Sequence, residues 1–336
     1  MNQIVGQHLI SAWTKGTRPL LRLGLLAINL AVVAGAATFT IADGNVSELI
    51  AAINAANANP DADTINLASG GTYTFTAPYD NVDFAALPRI TSTITIKGNG
   101  ATIQRSSAAG TPDFSLFATL YANLRLDSVT VRGGSLGFGA GLNNNRSTLQ
   151  ITNSTVTGNN TGSSGDGGGI FNVCGALTIV NSTVSFNRSY GGYGGGGILN
   201  FTDSSGCSTT TTIVFSTIFE NRADGPSGFQ GCGDAIADAF SAPGSIVVKN
   251  SILASPTQGL GGACYAVVPT SLGHNIADDT SCSLTGPGDM NNTNPLLGPT
   301  ANNGGPTPIE PPAMNSPAID AVPLSYCSDV FGVSVI

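Results

Sequence analysis

One short string recurs at a fixed interval in the middle of this 336-residue chain. It reads Gly-Ala-Gly-Leu-Asn-Asn over Gly139–Asn144, Gly-Gly-Gly-Ile-Phe-Asn over Gly167–Asn172 and Gly-Gly-Gly-Ile-Leu-Asn over Gly195–Asn200, a step of 28 residues each time. Between the copies lies a second string. It is Leu-Gln-Ile-Thr-Asn-Ser-Thr-Val over Leu149–Val156 and Leu-Thr-Ile-Val-Asn-Ser-Thr-Val over Leu177–Val184, with the same step, and a looser copy follows over Thr212–Ile218. Self-similarity at such a period points to a repeat architecture, in which each unit buries its apolar face only against its neighbours.

Residue types within the unit choose the architecture. Leu177, Ile179 and Val184 are separated by polar Thr178, Asn181 and Thr183. A period near two, with β-branched residues, predicts strands. Nothing between the copies carries a helical period or helix caps. The expected fold is therefore all-β, a single-stranded parallel β-helix whose coils stack about 4.8 Å apart. Like residues then lie over like residues: Ile198 over Ile170 over Leu142, and Asn200 over Asn172 over Asn144. A second asparagine column comprises Asn221, Asn187 and Asn159. Stacked amides can hydrogen-bond along a column, and glycine permits tight corners. Both sets read as turn and ladder chemistry rather than as ligand contacts.

The Gly-Gly-Gly-Ile-x-Asn and Asn-Ser-Thr-Val units resemble the right-handed parallel β-helix repeats of bacterial surface and secreted proteins, including the polymorphic outer-membrane-protein-like group. The right hand of the coil is implied by that resemblance, not by the spacing.

Residues 1–36 read as an export signal. Lys15, Arg18 and Arg22 precede an apolar core, Leu23–Ala34, and Ala34-Gly35-Ala36 offers small residues for cleavage. The alternative is an uncleaved anchor, which a short run interrupted by Asn29 argues against. No other stretch is long and apolar enough to span a membrane. One helix is expected in the remaining chain, over Val46–Ala58, with Asn45 as its cap, Glu48 three residues on, and Val46, Leu49, Ile50 and Ile53 as its apolar stripe. Such a helix would close the open apolar end of the coil. The stretch Asp43–Leu67, with Val46-Ser47-Glu48-Leu49-Ile50-Ala51-Ala52-Ile53-Asn54, resembles the domain called CSLREA that starts many bacterial β-helix surface proteins. Val46 stands where that motif has its cysteine, so the corresponding bridge is absent here.

Alternating segments at Thr64–Leu67, Thr72–Thr76, Ile90–Lys97 and Thr102–Arg105 predict the first coils, with a turn at Gly98-Asn99-Gly100. Residues 37–290 are thus expected to form one β-helix. Residues 291–336 form a Pro- and Gly-rich segment packed on it or trailing from it. That segment contains Asn294-Pro295-Leu296-Leu297-Gly298-Pro299, Asn302-Asn303-Gly304-Gly305-Pro306-Thr307-Pro308 and Ser316-Pro317-Ala318-Ile319-Asp320-Ala321. These three strings, in this order, resemble the C-terminal region of bacterial choice-of-anchor Q proteins. The resemblance implies an extracellular or bacterial cell-surface location.

Charged residues make up only 10% of the chain and the net charge is −8, so the surface is not built for nucleic acid or anionic lipid. Six cysteines in an exported chain favour disulfides. Cys174 and Cys207 each follow a Gly-Gly-Gly-Ile-x-Asn unit, which places them on the same side of adjacent coils. Cys264 pairs with Cys282, and Cys232 is left for Cys327. No two cysteines have zinc-ligand spacing, and past the export signal the chain has a single histidine, His274, so no metal site is expected.

An enzyme has to be weighed, because β-helices host lyases and glycosidases. The neighbouring carboxylates are Asp61 with Asp63, Asp80 with Asp83, Asp234 with Asp238, and Asp278 with Asp279. None lies on a patterned strand of the central coils. Asp166 sits in a glycine run without the nonapeptide period of calcium-binding repeats and reads as a turn. Tyr190 and Tyr193, flanking two glycines, form either a sugar-stacking platform or a shield for the flank of the coil. The expected function is an exported, monomeric scaffold for adhesion, binding polysaccharide or a surface protein without catalysis or cofactor. The alternative is a polysaccharide-degrading lyase or glycoside hydrolase of the pectin-lyase-like fold.

Overall fold

Asn45 opens the helix that the spacing predicts. Its Oδ1 accepts the Glu48 backbone N–H at 3.1 Å, and its Nδ2 donates to Glu48 Oε2 at 3.0 Å. The helix runs Val46–Asn57, one residue short of the expected end, with Ala58 as its C-cap. Leu49, Ala52, Ile53 and Ala56 are its buried stripe, while Val46 and Ile50 pack against the core from its rim. The computed structural model describes residues 35–163, 165–225, 233–239, 244–255 and 261–327. The predicted export signal up to residue 34 lies outside these, as does Cys232.

The described chain is mostly β, with parallel sheets of 15, 6 and 2 strands and this single α-helix. Successive units visit the sheets in the same order. Leu142–Asn145 belongs to the six-stranded sheet, and Thr148–Thr152 and Thr155–Thr157 to the large one. The next unit repeats this with Ile170–Val173, Ala176–Val180 and Thr183–Ser185, and the next with Ile198–Phe201, Thr210–Val214 and Thr217–Phe219. Each strand pairs in parallel with its equivalents in the units before and after. Leu142, Ile170, Ile198 and Ile236 are direct register partners. So are Ile151, Ile179, Ile213 and Val248, and likewise Val156, Val184, Ile218 and Leu253. These inward columns form the main apolar core. Burying each column removes branched side chains from water at roughly 1.5–3 kcal/mol apiece.

One expectation is corrected. Gly98-Asn99-Gly100 does not separate two strands by a turn. A single strand, Thr93–Arg105, runs through it and shifts register against Asn123–Arg132 between Lys97 and Ala101. Asn99 and Gly100 take positive φ values of 52° and 83°, so the extra residues are absorbed as a bulge.

The Asn-Ser pairs make the corner between the two strands of the large sheet. Asn153, Asn181 and Asn250 adopt φ of 51°, 46° and 51°, a conformation asparagine tolerates. The serine that follows turns inward. Ser154 N donates to Ser182 Oγ, Ser182 N to Ser216 Oγ and Ser216 N to Ser251 Oγ, at 3.1, 3.2 and 3.1 Å. Each hydroxyl in turn donates to the carbonyl two residues back, so no corner amide is stranded. The triple-glycine corner has a different cause, close approach. A Cβ on Gly169 would stand 2.6 Å from Gly197 O and 2.9 Å from Asn187 Nδ2.

Beyond residue 291 the chain folds back over the outside of the large sheet. Leu297 bridges Pro312 and Ala301 bridges Ile309, both antiparallel, which defines a hairpin. Thr155 Oγ1 donates to Pro308 O at 2.7 Å, and Thr307 Oγ1 donates to Asn153 O at 3.1 Å.

Candidate functional site: an aromatic groove outside the six-stranded sheet

Alternation along Ile170–Val173 sends Ile170 and Asn172 inward and Phe171 and Val173 outward. The outward residues form a second apolar cluster, separate from the core: Phe171, Val173, Leu199 and Ala237, with Phe201 packed against them. Ring centroids step 5.2 Å from Phe138 to Phe171, 5.7 Å from Phe171 to Phe201, and 5.8 Å from Phe201 to Tyr193. The inner ring, Phe171, is 8% exposed, whereas the outer two, Phe138 and Tyr193, are 51% and 42% exposed. Together they border a cavity of about 360 Å³, within the range of roughly 300–1,000 Å³ usual for ligand pockets.

The remaining wall is polar. Asn143, Asn145, Arg146 and Asp203 line it. Arg146 Nη2 meets Asp203 Oδ2 at 2.5 Å and Ser205 Oγ at 3.2 Å, and Arg146 Nη1 reaches Asn145 Oδ1 at 3.2 Å. Hydrogen bonds from the Ser205 hydroxyl and backbone N–H, then from Arg146, hold the Asp203 carboxyl below its usual range. The loop carrying Asp203 is fixed by the Cys174–Cys207 disulfide, with Cα atoms 5.4 Å apart. The two sulfurs and Asp203 form the one cluster of potential metal ligands among the described residues. Both sulfurs are bonded to each other, so no thiolate is there to bind a cation.

Asp166 supports the opposite wall from beneath. It is buried, and its Oδ1 accepts the backbone N–H groups of Tyr193 and Gly194 at 2.9 and 3.0 Å. Burial raises this carboxyl despite those two donors. Gly191 has no room for a side chain, since a Cβ there would lie 2.2 Å from Asp166 Oδ1. Tyr193 therefore stands in the groove on a loop moulded around a carboxylate. Tyr190 does not join it. The Arg188 guanidinium lies 4.6 Å from the Tyr190 ring, in a cluster where Arg188 and Arg222 share Asp224.

The predicted asparagines lie inside the molecule. Thr119 Oγ1 donates to Asn144 Oδ1 at 3.0 Å, Asn144 Nδ2 to Asn172 Oδ1 at 2.8 Å, and Asn172 Nδ2 to Asn200 Oδ1 at 3.0 Å. In the second column Asn159 Nδ2 donates to Asn187 Oδ1 and Asn187 Nδ2 to Asn221 Oδ1, both at 2.9 Å. All six are buried. Cys264 and Cys282 are joined, with Cα atoms 4.9 Å apart. Among the described residues Cys327 has no disulfide partner; Cys232, assigned to it from the sequence, lies outside them.

Asp238 corrects one expectation, since it lies on the strand Ile236–Ala239 beside Asn200, while the other neighbouring acids hold loops. Asp63 Oδ1 accepts from Ala37 N and Asn59 Nδ2, Asp83 is paired with Arg89, Asp234 Oδ1 accepts from Ala223 N, Asp278 Oδ2 from Ser255 N, and Asp279 from Ala263 N and Ser281. None of them lines the groove. Among the described residues no helix is long and apolar enough to cross a membrane. Comparisons with family models, with curated proteins and with solved structures find no match.

The phenylalanines of the groove were not singled out by sequence reasoning. The available signal was the alternation itself, which puts Phe171 and Phe201 on the outward side of their strands.

Proposed function

We propose that this chain is an exported right-handed parallel β-helix, closed at its N-terminal end by the helix Val46–Asn57, which binds glycan at the cell surface or outside the cell. It acts as a monomer and needs no cofactor. The recurrent order in which the units visit the sheets supports the coil, and the resemblance of the repeats implies its hand. The observation that carries the binding reading is the groove: two exposed rings above an apolar floor, facing two amides and an ion pair. Sugars present an apolar C–H face and a rim of hydroxyls, and aromatic rings beside fixed polar groups match both. The groove's lining includes one carboxylate, Asp203, which is ion-paired, whereas glycoside hydrolysis takes two opposed carboxyl groups about 5–9.5 Å apart.

The test is a glycan-binding array run beside a reducing-end and unsaturated-product assay, with and without calcium. Binding without product release supports the scaffold. Product release that disappears in Asp203→Asn makes the protein a polysaccharide-degrading enzyme instead.

A further inference from the structure

The groove also carries information about which glycans fit. Its charged lining residues, Arg146 and Asp203, are committed to each other at 2.5 Å. Arg146 spends both terminal nitrogens on protein acceptors, Asp203, Ser205 and Asn145. Asp203 is held ionised by Ser205 and Arg146. A sugar acid entering here would have to take Arg146 from a partner already locked by the Cys174–Cys207 loop, and would then lie beside the displaced Asp203 charge. The chain's net charge of −8 adds to that repulsion. Hydroxyl groups meet no such penalty, because they can donate to carboxylate or amide oxygens and accept from guanidinium or amide N–H groups.

Ring positions set the length. The exposed rings, Phe138 and Tyr193, are joined by successive ring contacts through Phe171 and Phe201, which form the floor. The two exposed rings are linked through these inner ones, and the cavity of about 360 Å³, near the small end of the roughly 300–1,000 Å³ usual for ligand pockets, limits the enclosed chain to a few sugars.

Resting on the glycan-binding reading, we infer that the groove is selective for an uncharged oligosaccharide segment of two to three pyranoses, stacked on Phe138 at one end and Tyr193 at the other, and that it discriminates against uronates. The ion pair Arg146–Asp203 is the specificity determinant: it supplies hydrogen bonds while cancelling the charge that a uronate would seek.

Calorimetric titration of the full-length chain tests this, using neutral gluco- and xylo-oligosaccharides of one to six sugars and oligogalacturonates of matched length. Affinity for the neutral series should rise about tenfold or more from one sugar to three and then level off. Phe138→Ala and Tyr193→Ala should each weaken the trisaccharide about tenfold, while Tyr190→Ala leaves it unchanged. Uronates should bind at least tenfold more weakly than neutral chains, and Asp203→Asn, which frees the Arg146 charge, should narrow that gap. Unchanged thermal unfolding of each variant separates a lost contact from a lost fold. Uronates binding as tightly as neutral chains, or affinity that is flat with chain length, would overturn the selectivity while leaving glycan binding in place. Silence with every saccharide would overturn both.

Discussion

Asn200 and Asp238 are register partners on adjacent parallel strands, and between them the inner asparagine column stops. Among the described residues, Asn200 Nδ2 and both Asp238 carboxylate oxygens are buried without a hydrogen-bond partner. Asn200 Oδ1 is already taken by Asn172 Nδ2 and Thr211 Oγ1, so its amide nitrogen is turned toward Asp238. Burial pushes the Asp238 carboxyl up from 3.8 to about 6, and the nearby N–H groups of Gly244 and Ala239 offset only part of this.

The sign of the pH dependence follows. An acid whose folded-state pKa is raised favours the folded state most when protonated, and that contribution is lost as pH rises through about 6. Asp278 acts in the same direction, raised to about 6 by burial first and by Asp279 and Glu220 after. Thermal unfolding followed from pH 4 to pH 8 should show stability falling between about pH 4 and 6 and levelling off above about pH 7. Asp238→Asn keeps the side chain's shape beside Asn200 and removes its titration. It should stabilise the protein at pH 8 by about 1–3 kcal/mol and flatten the profile. A variant whose profile runs parallel to the parent would show that Asp238 is not the group responsible.

Within the column, Asn172 is the rung whose loss costs most. It accepts from Asn144 and donates to Asn200 Oδ1, Gly175 O and Thr210 O. Asn172→Leu removes one of the two acceptors of the Asn144 amide nitrogen, which keeps Ser147 O, and should destabilise by about 2 kcal/mol or more. The outer pair Asn181–Asn153, bonded at 2.8 Å but exposed, supplies the contrast. Asn181→Ala should cost less than about 1 kcal/mol of hydrogen bonding, plus whatever its φ of 46° demands of alanine. Paired chemical-denaturation curves would rank the two.

These columns could be read from the chain because stacking in register turns a sequence period into a spatial column. Asn144, Asn172 and Asn200 recur at one place in the unit, so one assumption aligned them all. The groove had no such marker. Phe138 precedes its glycine string, Phe171 lies within its string and Phe201 follows its string, so no repeat links them and only the fold brings the rings together. Tyr190 and Tyr193 suggested a pair because they are neighbours in sequence, but the Gly191-Gly192 loop bends around Asp166 and sends them to different surroundings. The role of the serines was hidden for another reason: their partners are backbone N–H groups, which every residue has. The reading of Gly98–Gly100 as a turn failed because the same residues serve a turn or a bulge.

Glycine at the tight corner is required by space as much as by conformation. In Gly169→Ala the new methyl would sit against Gly197 O and the Asn187 amide at once, and both belong to hydrogen-bonded stacks. The expected loss exceeds about 2 kcal/mol, well beyond the small gain that alanine brings to an unhindered site. Gly162→Ala is the control, because its Cβ would meet nothing within 4 Å and only its φ of 74° opposes the change. Differential scanning calorimetry of the two variants should separate crowding from backbone strain.

Reduction of the Cys174–Cys207 bond should act on stability and on the groove together. The bond closes a separation of 33 residues, for which loop entropy suggests about 3–4 kcal/mol. It also anchors the loop that presents Asp203 to Arg146. A Cys174→Ala/Cys207→Ala variant should therefore melt earlier and, at temperatures where it remains folded, discriminate less between neutral and acidic sugars. Loss of stability with unchanged discrimination would show that Arg146 and Ser205 hold Asp203 without help.

The hairpin of residues 297–312 changes what kind of object the stack is. Thr307 and Pro308 clasp Asn153 and Thr155, sequence separations of 154 and 153 residues, so a later-synthesised hairpin closes over units made long before it. A row of units that touch only their neighbours can be completed one at a time, each new unit finishing the one before. Here the central units stay unfinished on one side until the tail arrives. A clipped or half-made copy carries an open seam at its centre.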